Sequence, residues 1–507
     1  MQYLLGIDNG GTMAKAALFT TDGSEVAVAS RRSEMLDTKP GWAEFDMNQT
    51  WTNTAEAIRE VLSESGINPS DIACAACTGH GNGLYLVDAD GKPVRNAIGS
   101  ADGRAREFIE QWGSDGTLER IRPKTMQGIW PAQPNALLRW LRDNEPESIE
   151  KASWVLMCKD FVRTQLTGEV YMELTDMSGT SLMDVGAAAY DDEVLQAWDL
   201  ADMKAMMPRI KQSADICGKV TAGAAASTGL AEGTPVAGGM FDIDACGLAS
   251  GMTDETQLCM VGGTWGNNQY ISREPVVSPD VFMTSCYSMP GWYLMLEGSA
   301  TSASNLEWFV TQFMEAERKQ LADENRNIFE LCNDLVAATS PKDSGIVFLP
   351  FLYGSNVSLD GKAVFFGLDG WQNRSHVVRA IYEGVIFAHK WHVDRLLNFR
   401  PMPERIRLTG GAARSEVWGQ MFADIFQVPV EIPAGTELGA LGAAICAAVA
   451  AGVHDSYEAA CGAMVRFDRT HEPNRELAET YAKKFANYLK LLDTLDPVWS
   501  DLAWQAD

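Results

Sequence analysis

Apolar and polar positions alternate from Tyr3 to Ala29 in three runs separated by turn residues. Tyr3-Leu4-Leu5-Gly6-Ile7 comes first, then Ala16-Ala17-Leu18-Phe19, then the stretch after Asp22-Gly23. Alternation with a period of two marks strands, and Asp-Gly between such runs marks a hairpin. The pattern predicts strand, glycine turn, strand, tight turn, strand over 3–29. A helical period takes over from Thr50 to Ser65, with Trp51, Ala55, Ile58 and Leu62 on one face and Thr50 as the cap. A strand follows at 72–78, then the polar turn Thr78-Gly79-His80-Gly81-Asn82-Gly83. Leu84-Tyr85-Leu86-Val87 with Asp90-Gly91 reads as a further hairpin. Residues 103–212 are mostly helical in period. Val236-Ala237-Gly238-Gly239 ends a short strand, and a helix starts from Phe241.

The second half repeats this logic. Strands are expected at 258–297 and helices at 300–338 and 375–400. A short strand at 405–408, a turn at Gly410-Gly411, and helices at 415–426 and 437–451 follow, with C-terminal helices over 455–507. Gly10-Gly11-Thr12 returns as Gly262-Gly263-Thr264, about half the chain length away, each between an apolar run and an alternating one. Neither copy leads into a helix, which both Gly-rich nucleotide motifs, the dinucleotide fingerprint and the P-loop, require. Two glycine turns of one design suggest a phosphate held between backbone N–H groups. The expected architecture is therefore α/β with two domains, 1–247 and 248–507, and a nucleotide-dependent site in the cleft between them.

With 507 residues the chain exceeds what one core supports. Its net charge of −27 repels nucleic acid and anionic membranes. The charge is read as a solubility feature, and it means that bound ATP needs a metal ion and backbone dipoles. Cys74 and Cys77 form a CxxC within a strand, where their side chains point to opposite faces about 10 Å apart. The ten cysteines thus read as reduced thiols of a cytoplasmic protein. The opening residues lack a signal peptide's basic start. The longest apolar run, Leu438 to Val453, is too short for a membrane span.

Phosphoryl transfer to a hydroxyl needs a group to accept its proton. Asp242, at a strand–helix junction beside Gly238-Gly239, is placed for that role; it reads equally as a first-turn Asp favoured by the helix dipole. Asp244 reads as structural. Asp8, ending the first strand, can meet a metal–phosphate complex or simply form a turn. Lys15 reads equally as a phosphate contact or a surface charge. His80 and Asn82 could face sugar hydroxyls or form a solvated turn, and Asp102 with Arg104 could be a surface pair.

These motifs, in this order, resemble the FGGY carbohydrate kinases of the actin-like ATPase group. Gly6-Ile7-Asp8-Asn9-Gly10-Gly11-Thr12 with Lys15 resembles the family's first phosphate loop, and Ala101-Asp102-Gly103-Arg104 its Asp-x-Arg. Lys159-Asp160-Phe161-Val162-Arg163, Leu166-Thr167-Gly168 and Asp176-Met177-Ser178-Gly179-Thr180 resemble the segments that follow. Asp242 falls at the catalytic base and Gly262-Gly263-Thr264 at the second phosphate loop. Gly367-Leu368 with His376 to Gly384 fits the signature, and Thr409-Gly410-Gly411-Ala412-Ala413-Arg414-Ser415 resembles the adenosine loop. The resemblance implies two ribonuclease-H-like domains, an N-terminal one for sugar and a C-terminal one for ATP. It implies Asp242 as base, and Asp8 and Asp242 beside Mg²⁺. Asp8, Gly10, Gly11, Thr12, Lys15, Gly263, Thr264, Gly410, Gly411, Ala412 and Ser415 would lie around ATP, and His80, Asn82, Asp102 and Asp242 around the sugar.

Xylulose kinases usually carry Ser-Gly-Gln-Met-His-Gly where this chain has Thr78 to Gly83, so Gly81 and Asn82 replace a Met and a His. Gly354-Ser355-Asn356 replaces the usual Gly-Glu-Arg. Both departures resemble the L-xylulose and 3-keto-L-gulonate kinase branch. Asn82 offers no cation to a sugar acid, which favours a neutral ketose such as xylulose or L-xylulose. The alternatives are a polyol such as erythritol or glycerol, 3-keto-L-gulonate, or a non-catalytic ATP-binding sensor. Trp42 and Trp130 are read as core residues or as sugar-stacking rings. A homodimer is one expected assembly.

Overall fold

The structure, a computed structural model, describes residues 2–36, 38–299, 301–355 and 360–501. The chain divides into two compact units, each assembled from separate stretches. The first takes Met1–Thr253, Ile271–Met295 and Gly435–Val465; the second takes Asp254–Tyr270, Leu296–Ala434 and Arg466–Asp507.

In the first unit the opening alternation folds as expected. Tyr3–Asn9, Met13–Thr20 and Glu25–Arg32 form an antiparallel meander. Ile72–Gly79 joins Tyr3–Asn9 in parallel, with Pro235–Ala237 and then Ile216–Lys219 beyond it. Met240–Phe241 also pairs in parallel with the end of Ile72–Gly79. The register carries Lys15, Asp8, Thr78 and Met240 across four neighbouring strands. Residues paired across a sheet share a face, so the polar ends of these strands gather at one place.

Helix Leu438–Ala450, almost all Ala and Gly, packs on this sheet and on helix Asp242–Ala249. The small residues permit backbone-to-backbone approach. A Cβ on Gly6 would lie 1.9 Å from the carbonyl oxygen of Ala440, and one on Gly442 would lie 2.2 Å from that of Ala245.

The second unit repeats the device. Gln257–Gly262 and Gly266–Ser272 form an antiparallel pair, and Arg405–Thr409 runs parallel to Gln257–Gly262. Val430–Pro433 and Phe467–His471 continue the sheet. Helix Arg374–Leu396 carries the expected signature, and its residues are engaged in packing. Arg379 donates to the carbonyls of Val336 and Thr339, Glu383 pairs with Lys484 at 2.5 Å, and Gly384 lies against the backbone of Phe348.

Some expectations need correction. The helix predicted from Thr50 begins at Met47, capped by Asp46, whose carboxylate accepts from the N–H groups of Asn48 and Gln49. Tyr85–Val87 pairs with Trp154–Leu156, so its main partner is remote in sequence. The stretch after 455 is not wholly helical: strand Phe467–His471 separates Tyr457–Met464 from Ala478–Asp501. Asn356 lies outside the described residues. Cys74 and Cys77 are buried free thiols, pushed up to about 12 by burial, which leaves them unreactive. Among the described residues no helix is long and apolar enough to cross a membrane.

Gly6→Ala should lower stability by about 1–3 kcal/mol or more, because the helix must move off the sheet. Gly223→Ala, in a helix where an added Cβ meets nothing within 4 Å, should be neutral or mildly stabilising. Urea unfolding of the two variants checks the contrast.

Candidate active site

Asp242 is the first residue of its helix, and three separate anchors fix the backbone before it. Thr78 donates its hydroxyl to the Met240 carbonyl at 2.9 Å. Thr175 accepts from the Phe241 N–H at 2.9 Å and donates to Glu173 at 2.7 Å. Arg163 donates to the Gly238 carbonyl at 2.7 Å and to Asp160 at 2.6 Å. The turn itself demands glycine. Gly239 has φ of 81°, and a Cβ there would lie 1.9 Å from the Cys77 carbonyl oxygen.

Behind these anchors lies a buried charge network. Lys159 pairs with Asp160 at 2.9 Å, Glu173 at 3.3 Å and Asp176 at 3.4 Å. Burial alone would lower the Lys159 pKa; the three carboxylates together reverse this and hold the ammonium charged. Burial pushes Asp176 up to about 7 against the pull of Lys159. Sequence reading picked out Lys159, Asp160 and Asp176 as motif members but assigned none of them this supporting role. Five buried charged residues between Cys158 and Ser178 were the available signal.

Burial holds the Asp242 carboxyl well above the usual carboxylate range, and the charges of Asp8 and Asp176 push the same way. Asp8 is likewise raised by burial to about 6, with Lys15 opposing and Glu437 adding. Lys15 is no free surface charge: it pairs with Glu437 at 2.7 Å. Helix Leu438–Ala450 begins over Asp8, since a Cβ on Gly439 would lie 2.3 Å from Asp8 Oδ2. The adjoining turn is open: Gly11 and Thr12 are exposed, and an added Cβ at Gly11 would meet nothing within 4 Å. Asp244 takes the structural role expected of it, accepting from the N–H and hydroxyl of Ser288 at 2.9 and 3.0 Å.

His80 and Asn82 are buried, not parts of a solvated turn. His80 Nε2 meets the Tyr85 hydroxyl at 2.9 Å, and burial lowers its pKa to about 4, so the ring is neutral. Its Nδ1 and the Asn82 Oδ1 have no hydrogen-bond partner. Asp102 and Arg104 are also buried, which overturns the surface-pair reading. Asp102 accepts from Ala43 N–H at 2.7 Å and from the Arg104 N–H, Nε and Nη2. Arg104 lies over the Trp42 ring at 3.8 Å, and Trp130 packs on Phe282.

In the second unit the predicted phosphate and adenosine loops meet. Gly410 has φ of 83°, and a Cβ there would lie 2.9 Å from the Gly262–Gly263 backbone. A Cβ on Gly262 would lie 2.7 Å from that of Ala412, and one on Gly411 would lie 3.7 Å from the Gly262 carbonyl oxygen. Ala303 N–H donates to the Gly263 carbonyl, and Ser302 N–H and Ser304 hydroxyl donate to that of Thr264. Gly263 N–H is engaged within its own turn, on the Trp265 carbonyl at 3.2 Å. Ser415 caps helix Glu416–Phe426 and donates to Asn333 at 2.6 Å.

Two family models match almost end to end, the N-terminal domain of the FGGY family of carbohydrate kinases over residues 3–248 and the C-terminal domain over 258–451. The chain belongs to the FGGY family of carbohydrate kinases. It is 36% identical over 497 residues to the L-xylulose/3-keto-L-gulonate kinase of Escherichia coli K12, covering 97% of each chain. It is 35% identical to a probable L-xylulose kinase of Pasteurella multocida, over 98% of this chain and 99% of that one. The crystal structure of xylulose kinase from Rhodospirillum rubrum superposes with a TM-score of 0.87 at 27% identity, covering 98% of this chain and all of that one. The two-domain FGGY kinase fold of the actin-like ATPase group is thus shared, and the chain is a sugar phosphotransferase.

In this FGGY kinase, Lys159→Met should cost about 3–5 kcal/mol, because it strands three buried carboxylates. Asp176, raised by burial, would lose the Lys159 charge that lowers it and titrate higher still, so the variant's stability is lost as pH rises through that value. The deficit in the urea midpoint should therefore shrink from pH 7 to pH 5.

Proposed function

We propose that the protein transfers the γ-phosphate of ATP to a terminal hydroxyl of a small neutral ketose such as L-xylulose, with Asp242 accepting the hydroxyl proton. The observation that carries this reading is the raised pKa of a buried, rigidly anchored Asp242 beside Asp8. A general base works best with a pKa near the working pH, and burial with like charges supplies that shift. The named activities of the relatives support the acceptor class. The neutral character rests on the cations of the first unit near these residues. Lys159, Arg163 and Arg104 are committed to carboxylates. His80 and Asn82 bring neutral polar atoms without partners.

Mg²⁺ is part of the proposal. Among the described residues no three His, Cys, Asp or Glu side chains converge as a metal cage. Mg²⁺ commonly takes only one or two carboxylates, with waters and phosphate oxygens completing its shell. Asp8 and Asp242, both raised by burial and with the Asp8 charge acting on Asp242, fit that requirement and would hold it. The ion would supply neutralisation of phosphate charge. On the protein side, residues 1–247 carry the sugar contacts and 248–507 the ATP contacts at Gly263, Thr264, Gly410, Gly411 and Ala412. Its buried free thiols suit a cytoplasmic enzyme.

The test is ADP release with Mg·ATP against L-xylulose, D-xylulose, both ribuloses, erythritol, glycerol and 3-keto-L-gulonate. A neutral ketose should give the highest kcat/KM. Preference for the acid would reverse the neutral-substrate argument. Asp242→Asn should lower turnover by a factor of about 100 or more while ATP still binds; near-normal turnover would remove Asp242 as the base.

The pH profile is a second test. The base must be ionised, so kcat/KM falls as pH drops through the Asp242 pKa. Asp8→Asn removes a negative charge that raises it. In the metal-free protein the Asp242 titration, followed by carboxyl NMR, should therefore move to lower pH, and an unmoved titration would show that Asp8 does not act on Asp242.

A further inference from the structure

The residue before the base, Phe241, is unlike its surroundings. Its ring is buried and lies where two glycines leave room for it. A Cβ on Gly81 would lie 2.0, 2.3 and 2.7 Å from Phe241 Cε2, Cζ and Cδ2, and one on Gly179 would lie 3.3 Å from Cε1. The ring therefore occupies the volume that side chains at 81 and 179 would otherwise fill.

Buried polar atoms without partners lie on the residues around it. His80 and Asn82 flank Gly81, with Nδ1 and Oδ1 unpartnered. Gln133 donates to the Gly179 carbonyl at 2.9 Å, while its own Oε1 has no partner. Asn82, His80 and Gln133 are all more than nine-tenths buried. An unpaired buried polar atom costs about 1–3 kcal/mol, so three of them near one ring mark a place for a ligand rich in hydroxyls. Asn82 also holds a left-handed backbone, φ 60°, a conformation rare outside glycine but tolerated by Asn. The following Gly83 is packed against Ile98, where a Cβ would lie 2.3 Å from the carbonyl oxygen. This stretch is fixed, so it cannot yield to a larger acceptor.

We propose that Phe241, seated against Gly81 and Gly179, is the specificity-determining wall of the acceptor pocket and sets the size of neutral polyol or ketose accepted. The inference rests on the sugar-kinase reading and deepens it. The ring limits the carbon chain on its apolar side, and the unpaired polar atoms of His80, Asn82 and Gln133 receive the hydroxyls. Phe241 touches no reacting atom; it acts on which acceptor presents its hydroxyl to Asp242.

The experiment compares wild type with Phe241→Leu across glycerol, erythritol, L-xylulose and a six-carbon ketose. It measures kcat and KM for each acceptor and, without ATP, binding of each by calorimetry. One methylene in a pocket is worth about tenfold or more in discrimination. Phe241→Leu should thus shift the kcat/KM ratio of the longest to the shortest acceptor by about tenfold or more toward the longest, chiefly through KM. The KM for ATP should not change. A uniform loss across all acceptors, or an unchanged ratio, would overturn the proposal and leave Phe241 a packing residue. Should Phe241→Leu not fold, Phe241→Met, closer in volume and flexible, carries the same comparison. The binding arm separates the two readings. A wild type that binds sugars without turnover overturns the kinase reading while the affinity ratio still decides the role of Phe241. A wild type that binds none of the four overturns the pocket itself.

Discussion

Lys159 is the interaction on which the catalytic end of the first unit depends. It sits fully buried among Asp160, Glu173 and Asp176, each within 3.4 Å. Desolvating that many charges is costly and is repaid only when geometry and hydrogen bonds are complete. Here the completion is what orients the site. Glu173 receives Thr175, and Thr175 receives the Phe241 N–H; Asp160 receives Arg163, and Arg163 holds the Gly238 carbonyl. An apolar cluster of equal volume would pack well yet offer no directional contacts to the backbone before Asp242. The network thus exchanges stability for placement, the supporting shell that a preorganised base requires.

Placement would be of little use with an ordinary carboxylate. The same burial that makes the network necessary keeps Asp242 high, and Asp8 and Asp176 add their charges. Lys159 is saturated by its own partners and Lys15 by Glu437. The charges that act most on Asp242 are those of the carboxylates Asp8 and Asp176, and they push the same way as burial. Structural pairing and the tuning of Asp242 are therefore separated within a short distance: Lys159 and Lys15 go to Asp160, Glu173, Asp176 and Glu437, while burial and like charge raise Asp242.

What the sequence made legible follows the range of the forces involved. The strand meander from Tyr3 was readable because its period is local and Asp22-Gly23 is a turn with a mechanism. Asp242 stood out because strand, Gly-Gly and helix signals converge within a few residues. The Thr50 cap was misread because Asp46 lies four positions before it, and only the backbone shows which oxygen meets the first N–H groups. Tyr85–Val87 does turn back on Pro93 around Asp90-Gly91 as read, but its longer pairing was hidden because Trp154–Leu156 is remote in sequence. The surface-pair reading of Asp102 and Arg104 failed for a similar reason. Nothing in Asp-Gly-Arg tells that Ala43 and Trp42 will close over it. The close approach of Gly81 to Phe241 was equally hidden, since a glycine announces space without naming what fills it.

The duplicated glycine turns show how one backbone device acquires two jobs. Each ends one strand of an antiparallel pair, between Asn9 and Ala14 in the first unit and between Gly262 and Gly266 in the second. The side chains around them diverge. Where the first copy has Asp8 and Lys15, the second has Met260 and Asn267 at the same offsets from Gly-Gly-Thr. The second turn carries no charge of its own; it is clamped by Ser302, Ala303 and Ser304 and packed on Gly410. Backbone N–H groups and close glycine contacts suit recognition of a phosphate or nucleotide, which needs shape and dipoles. A carboxylate suits a cation and a proton. The −27 net charge makes that division useful: with anionic groups abundant, phosphate is best met where the local side chains are neutral, and the metal where they are not. In the proposed reaction the first turn, beside Asp8 and near Asp242, is the one that would couple a phosphate-bound cation to a proton acceptor.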